Sequence, residues 1–388
     1  MKVLIVSDSP NTPSGYGRVA GKIAAYLNNQ ADGEVHFLGL QGFGFPAYYS
    51  GTHEERLGKP FLVHPRGKDP SGADLLAYYL KKLNPQALVS LGDLQQQNAL
   101  MAPITESGWK GRWFPYTPYD TEMFVPTWAC AKRAEKIIVP AQFAEKLLKG
   151  HLGADKVARI EHGVDCKAFK PLRKPDVRKA RGLDGKFVVG AFGRNQLRKM
   201  WVQTVKGFAA FAKDKKDARL VLHTEELPFR DDSGQGWAFP SLLAKYGIRD
   251  KVVFTGDLTE YLNRFYIDNG MLNELYNCLD VYGFLTGGEG FGLPALEAQA
   301  AGVVPVLTDY TTGKELCGSH GLLVKPLALW ENPTGIEWAV ADEKEFAKHL
   351  QFLYDHPDER AKRGNQAREF AQGYDWENVL PKWKKLLY

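Results

Sequence analysis

The sequence predicts an α/β protein made of two doubly wound, Rossmann-like domains facing a cleft. Three observations predict it. At 388 residues the chain exceeds one compact core, since domains average roughly 150 residues. Short apolar runs bounded by turn residues alternate with helical stretches, the pattern of parallel strands buried on both faces. That rhythm breaks over residues 165 to 185, DCKAFKPLRKPDVRKARGLDG, and then restarts.

Strands are expected at Val3 to Val6, Val35 to Leu40, Ala87 to Leu91, Arg112 to Tyr116, Lys136 to Val139 and Val157 to Glu161. Helices near 17 to 28, 71 to 83 and 141 to 149 separate them, the second stopping at Asn84-Pro85. After the break come strands at Phe187 to Ala191, Leu220 to His223, Val252 to Thr255, Val281 to Phe284 and Val303 to Leu307. Helices are expected near 201 to 213, 241 to 247, 272 to 278 and 294 to 301. The expected division is therefore an N-terminal domain over 1–168, a linker over 169–185 and a C-terminal domain over 186–370. The tail 371–388, ending in WENVLPKWKKLLY, is expected to form a helix that packs back on the N-terminal domain.

With 44% hydrophobic and 24% charged residues, the composition excludes a disordered chain. The N-terminus MKVLIVSDSP carries an apolar run too short for a signal peptide, and no stretch approaches the ~18 apolar residues of a membrane span. The four cysteines, Cys130, Cys166, Cys278 and Cys317, lack the spacing of a zinc site or a disulfide framework. A cytoplasmic protein is expected, with peripheral contact at a membrane surface left open. Fourteen Lys or Arg against six Asp or Glu between 132 and 181 mark a basic segment, read as a solvated region or a face for an acidic partner.

Doubly wound sheets bind ligands at the carboxyl ends of their strands, which places the chemistry in the loops there. Gly15, Gly17 and Ala20 have G-x-G-x-x-G/A spacing, but eight residues part Val6 from Gly15 and the second strand ends at Leu40-Gln41 without an acid. These glycines are read as letting the backbone approach a phosphate or a sugar. GRNQLRK, residues 193 to 199, puts Arg194, Arg198 and Lys199 after a strand, cations suited to a diphosphate or simply to solvent. GGEGFGLPALEAQAAG, residues 287 to 302, follows another strand with a glycine-rich turn and a helix start at about Pro294. Its exposed N–H groups favour an anion, Glu289 sits in the turn, and Glu297 is placed in the first helical turn.

EGFGLPALEAQAAGVVPV resembles the E-x7-E signature of retaining glycosyltransferases of the GT-B fold, the group-one, family-four-like enzymes. Four further stretches resemble that family in order: ARIEHGVDCKAFKP, GAFGRNQLRK, VVFTGDLTEYL and LYDHPDERAKRGNQAREFAQGYDWENV. The resemblance implies GT-B architecture, with a nucleotide-sugar donor on the C-terminal domain and an acceptor largely on the N-terminal one. It implies Arg194 and Lys199 at the donor diphosphate, the backbone of Gly290, Phe291, Gly292 and Leu293 beside it, Glu297 on the ribose hydroxyls and Glu289 on the transferred sugar. Gly15 and Gly17 match its N-terminal glycine loop. No metal and no cofactor are expected, since D-x-D is absent and the substrate is a UDP- or GDP-linked sugar.

The sequence departs from the family in places. Where it often has a histidine near the reacting carbon this chain reads PYTPYDTE, so Tyr119 and Asp120 occupy the region, and Asp120 joins the catalytic candidates. His162 replaces an asparagine, Met200 replaces a glycine, residues 223 to 243 are long and aromatic, and 326 to 343 read as an insertion. The leading expectation is a metal-independent retaining glycosyltransferase. A sugar-nucleotide epimerase or hydrolase and a non-catalytic sugar-nucleotide binder are the alternatives. The acceptor is expected to be a glycan, a lipid or a small molecule before a nucleic acid, because no nucleic-acid module accompanies the basic segment.

Overall fold

The computed structural model describes residues 1–12, 14–41, 45–51, 56–227, 236–257, 267–332 and 334–388. Pro13 of the first glycine loop, residues 228–235 of the long aromatic segment and residues 258–262 of VVFTGDLTEYL lie outside the described residues. The chain forms two compact units that interleave in sequence. One comprises Met1–Tyr119, Phe124–Gly163 and Trp376–Tyr388; the other comprises Asp120–Met123 and Val164–Asp375.

The first unit contains β1 (Lys2–Asp8), β2 (Glu34–Leu40), β3 (Ala47–Gly51), β4 (Arg56–Pro65), β5 (Ala87–Leu91), β6 (Arg112–Tyr116), β7 (Ile137–Val139) and β8 (Val157–Arg159). They form one sheet in the order β3-β4-β2-β1-β5-β6-β7-β8. β1 lies at its centre because Val3 to Val6 are at most 1% exposed, apolar on both faces. It pairs in parallel with β2 from Lys2–Glu34 to Asp8–Leu40, and with β5 from Val3–Ala87. β4, parallel to β2, and the edge strand β3, antiparallel to β4, are absent from the sequence reading. β3 is largely exposed, with Tyr48 at 75%, and so lacks the continuous buried run that marks the other strands.

The helix Gly15–Asn28 buries Val19, Ala20, Ile23, Ala24 and Leu27 along one stripe, and Ser14 caps it by accepting from the Gly17 N–H at 2.9 Å. The C-terminal helix Trp376–Leu387 also belongs to this unit. Its buried Trp376, Val379, Trp383 and Leu387 follow three- and four-residue steps, and Trp383 meets Tyr116 edge-on at 4.9 Å.

The second unit contains β9 (Phe187–Phe192), β10 (Ala218–His223), β11 (Val252–Phe254), β12 (Val281–Phe284), β13 (Val304–Thr308) and β14 (Leu322–Val324), all paired in parallel in the order β11-β10-β9-β12-β13-β14. Chain direction across the sheet reverses between β9 and β12, the switch point at which such sheets open a crevice. Residues 326 to 343, read as an insertion, contain the antiparallel hairpin of β15 (Pro326–Glu331) and β16 (Glu337–Ala341).

Residues 169–185, read as a linker, are part of this unit and carry the helix Lys174–Lys179. Their charge does not merely face solvent. Arg178 pairs with Asp280 at 2.8 Å, Lys174 donates to the Leu279 carbonyl at 2.8 Å, and the backbone N–H groups of Lys170 and Leu172 donate to Asn273 and Asn277. Among the described residues no helix is long and apolar enough to cross a membrane.

Candidate functional site

Two loops of the second unit leave the carboxyl ends of β9 and β12 side by side. After β9, Gly193 fits because a Cβ there would lie 2.9 Å from the Phe284 ring. Asn195, 6% exposed, then fixes the loop: its side chain donates to the carbonyls of Glu225 (3.0 Å) and Trp237 (2.8 Å) and accepts from the Trp237 N–H at 2.7 Å. A 3₁₀ turn over Leu197–Lys199 follows, and Met200 in the left-handed region (φ 44°) starts the helix Trp201–Ala212. This turn sends Lys199 inward.

After β12 the glycines are needed for two different reasons. A Cβ at Gly287 would sit 2.9 Å from the Trp338 Cβ, and one at Gly288 would sit 2.1 Å from the Asp120 carbonyl oxygen. Gly292 has φ 93°, which favours glycine, and precedes the helix Leu293–Ala300. The loop is tied at each step. The Gly287 N–H donates to the Arg198 carbonyl (2.8 Å), the Ala339 N–H of β16 donates to the Gly287 carbonyl (2.8 Å), and the Glu289 N–H donates to Thr311 Oγ1 (3.0 Å).

Lys199 and Glu289 meet where the loops converge. Lys199 Nζ lies 2.6 Å from Glu289 Oε1, and Arg198 Nη1 lies 3.4 Å from Oε2. Arg198 Nε also pairs with Asp120 Oδ2 at 2.9 Å, and its Nη1 donates to the Gly288 carbonyl. Burial pushes the Glu289 carboxyl up, but Lys199 and Arg198 outweigh it and hold the group below the usual carboxylate range. Burial lowers the Lys199 ammonium from its ordinary value, against the opposing pull of Glu289. An ionised pair thus faces a pocket lined by both residues together with Phe192, Tyr282, Pro294 and Thr312.

The structure brings Lys199, Glu289 and, through Arg198, Asp120 together, and of the stretch Gly290 to Leu293 it places Gly292 in the pocket lining. Arg194 lies on the same loop but is exposed, and among the described residues no partner bonds its guanidinium. Phe291 is 5% exposed and packs against Tyr374 at 6.0 Å between ring centres. Glu297 is not in the first turn of its helix, as the sequence reading had it. The helix starts at Leu293, so Glu297 is its fifth residue. It is 2% exposed, and Tyr276 donates to its Oε2 at 2.8 Å. Gly15 and Gly17 belong to the first unit, where a Cβ at Gly17 would meet the Ser9 carbonyl at 2.5 Å. Tyr119, also in that unit, accepts from the Val125 N–H at 2.9 Å.

Sequence reasoning missed Tyr276 and the bracing role of Arg198. Nothing in the spacing of Tyr276, 21 residues before Glu297, marks it as a partner. The signal for Arg198 was present as a third cation in GRNQLRK, but no motif position singled it out from Arg194.

The family model described as glycosyl transferases group 1 matches residues 173–370. A lipopolysaccharide core biosynthesis mannosyltransferase, LpsB, of Rhizobium meliloti is 35% identical over 172 residues, covering 40% of this chain and 42% of its own. A D-inositol 3-phosphate glycosyltransferase of Saccharomonospora viridis is 28% identical over 250 residues, 63% of this chain and 53% of its own. The chain spans about half the length of the curated relatives it matches. Sucrose-phosphate synthase from Thermosynechococcus elongatus shares the fold, with a TM-score of 0.76 at 17% identity over 100% of this chain and 98% of that one. So does Anabaena HepE, crystallised with UDP and glucose, with a TM-score of 0.72 at 16% identity over 100% and 99%. These likenesses carry the two-domain α/β architecture expected from the strand rhythm.

Proposed function

This chain belongs to the glycosyl transferases group 1 family, and on that premise we propose that it moves a sugar from a nucleoside-diphosphate sugar to an acceptor hydroxyl with retention at the anomeric carbon. The observation that carries the reading is the Lys199–Glu289 pair at the carboxyl ends of β9 and β12, beside the start of the helix Leu293–Ala300. A diphosphate leaving group gains negative charge as its bond to the sugar breaks. A cation and fixed N–H dipoles aimed at that charge stabilise the transition state more than the ground state.

In this reading the C–O bond from the anomeric carbon to the diphosphate breaks and the acceptor oxygen bonds to that carbon on the same face. The acceptor's proton leaves on the nucleoside diphosphate. Lys199 meets the diphosphate, joined by Arg194, whose exposed guanidinium is available to it. The Gly290 to Leu293 backbone borders the phosphates, Glu289 accepts from hydroxyls of the transferred sugar, and Glu297, aimed by Tyr276, holds the ribose. UDP is the first base to test, because HepE was crystallised with UDP and glucose and the trehalose-6-phosphate protein of E. coli with UDP-2-fluoro glucose. The acceptor is a glycan, a lipid headgroup or a polyol, in keeping with the lipopolysaccharide and inositol phosphate in the names of two relatives.

Nucleoside diphosphate release from a panel of UDP- and GDP-sugars, with and without acceptors, tests the assignment. Lys199→Ala and Glu289→Ala are each expected to lower acceptor-dependent release by at least about a hundredfold with unchanged circular dichroism. Near wild-type release in either variant would sink it. Release that ignores the acceptor would favour a hydrolase instead. Metal independence, which follows from the charge supplied by Lys199 and Arg194, is tested by unchanged release after EDTA treatment.

A further inference from the structure

We propose that Arg198 is a positioning residue: when the diphosphate of a donor draws Lys199 away, Arg198 stays behind as the counter-ion of Glu289, and Asp120 holds Arg198 in that place. The proposal rests on the donor site assigned above and adds to it a division of labour between two adjacent cations.

The geometry separates them. Lys199 lines the pocket and Arg198 does not, yet each engages a different oxygen of the same carboxylate. Lys199 is a compact ammonium on a rotatable stem, free to swing its donors toward a second anion. Arg198 is a planar fork already engaged at Nε and Nη1. Nε pairs with Asp120, Nη1 serves both the Gly288 carbonyl and Glu289, and the Arg198 backbone carbonyl accepts from Gly287.

Asp120 is itself anchored through its neighbours. Thr121 Oγ1 donates to the Glu337 carbonyl (3.1 Å), the Glu122 N–H donates to Tyr310 Oη (3.0 Å), and Glu122 Oε1 accepts from the Thr311 N–H (3.0 Å). The site therefore holds two cations against two carboxylates. A diphosphate adds negative charge on the Lys199 side alone. The groups facing Glu289 are Lys199 and Arg198 from the 3₁₀ turn and Tyr282 from β12, with Asp120 from residues 120–123 acting through Arg198. Without Arg198, a Glu289 that gives up Lys199 is left in a buried setting with no cation. Such a carboxylate takes up a proton.

That uptake is the readout, and a purely structural role for Arg198 would not produce it. Inorganic pyrophosphate is titrated by calorimetry near pH ~6, in two buffers of different ionisation heat, into wild type, Arg198→Gln, Asp120→Asn and the double variant Arg198→Gln/Glu289→Gln. Protonation of the probe itself is common to all four. Arg198→Gln is expected to take up about half a proton more than wild type and to bind roughly tenfold more weakly. Asp120→Asn moves the same way by less, and the double variant loses the extra proton. If Arg198→Gln does not fold, Arg198→Lys, which keeps the charge without the fork, is compared with Asp120→Asn. Proton counts and affinities equal to wild type in the folded single variants overturn the proposal while leaving the donor site standing. Absence of pyrophosphate binding even in wild type overturns the donor site, and this proposal with it.

Discussion

Glu297 keeps its place through Tyr276, whose hydroxyl donates to a carboxylate that is 2% exposed. A hydrogen bond to a charged acceptor contributes about 2 kcal/mol. Tyr276→Phe is expected to lower stability by about that amount in urea denaturation and to weaken nucleotide binding, while preserving the ring stacking with Phe192 at 4.8 Å. Gly288 is the opposite case, a position where an added atom does the damage. Its Cβ would lie 2.1 Å from the Asp120 carbonyl, so Gly288→Ala forces backbone apart and is expected to cost about 1–3 kcal/mol. The same substitution displaces Asp120 from Arg198, so transfer falls further than stability does, a comparison made by assaying both below the melting transition. Lys199 and Glu289 stood out in the sequence through the resemblance of their two loops to the family's, beside glycine-rich strand ends. Which of two arginines four residues apart turns inward is set by a 3₁₀ turn and the left-handed Met200, which spacing does not encode.

Gly292 controls how the helix Leu293–Ala300 starts. With φ 93°, it occupies a region that costs an L-residue roughly 1–2 kcal/mol. A Cβ there would also press on Leu316 at 3.0 Å. Gly292→Ala is expected to lower the melting temperature by several degrees, roughly what a loss of that size produces, and to weaken pyrophosphate binding because the first helical N–H groups shift. Thermal denaturation with and without pyrophosphate checks both. The parallel strands were legible at this scale, since β5, β6 and β12 are apolar runs buried on both faces. The edge strands β3 and β4 and the hairpin β15–β16 were not. Their residues alternate between exposed and covered or carry large exposed side chains, such as Leu327 at 65% and Trp330 at 40%, and so resemble loops in a one-dimensional reading.

Acid stability is a property of the folded units as wholes. Burial holds His162 down to about 3, and burial with the neighbouring His36 and Lys82 holds His64 down to about 4. Both belong to the first unit and stay neutral in it, whereas in the unfolded chain they titrate near 6.5. Between those values the unfolded state binds more protons, so the stability is fully present above about pH 6.5 and is lost as the pH falls toward 4. Each histidine contributes a slope of up to about 1.4 kcal/mol per pH unit. Urea midpoints for this unit are therefore expected to drop steadily between about pH 6.5 and 4.5, with a shallower drop in His162→Gln. Midpoints that are flat over that range would contradict the neutral burial of both rings.

The interleaving of the two units bears on how such a protein can be recombined. A fragment ending near residue 163 yields a first unit stripped of the helix whose Trp383 and Leu387 are fully covered, leaving bare apolar surface. A fragment over 164–375 keeps Lys199 and Glu289 but deprives Arg198 of Asp120. Exchange of halves with a relative therefore succeeds only when residues 120–123 and the terminal helix travel with their proper halves, and a single crossover cannot deliver both.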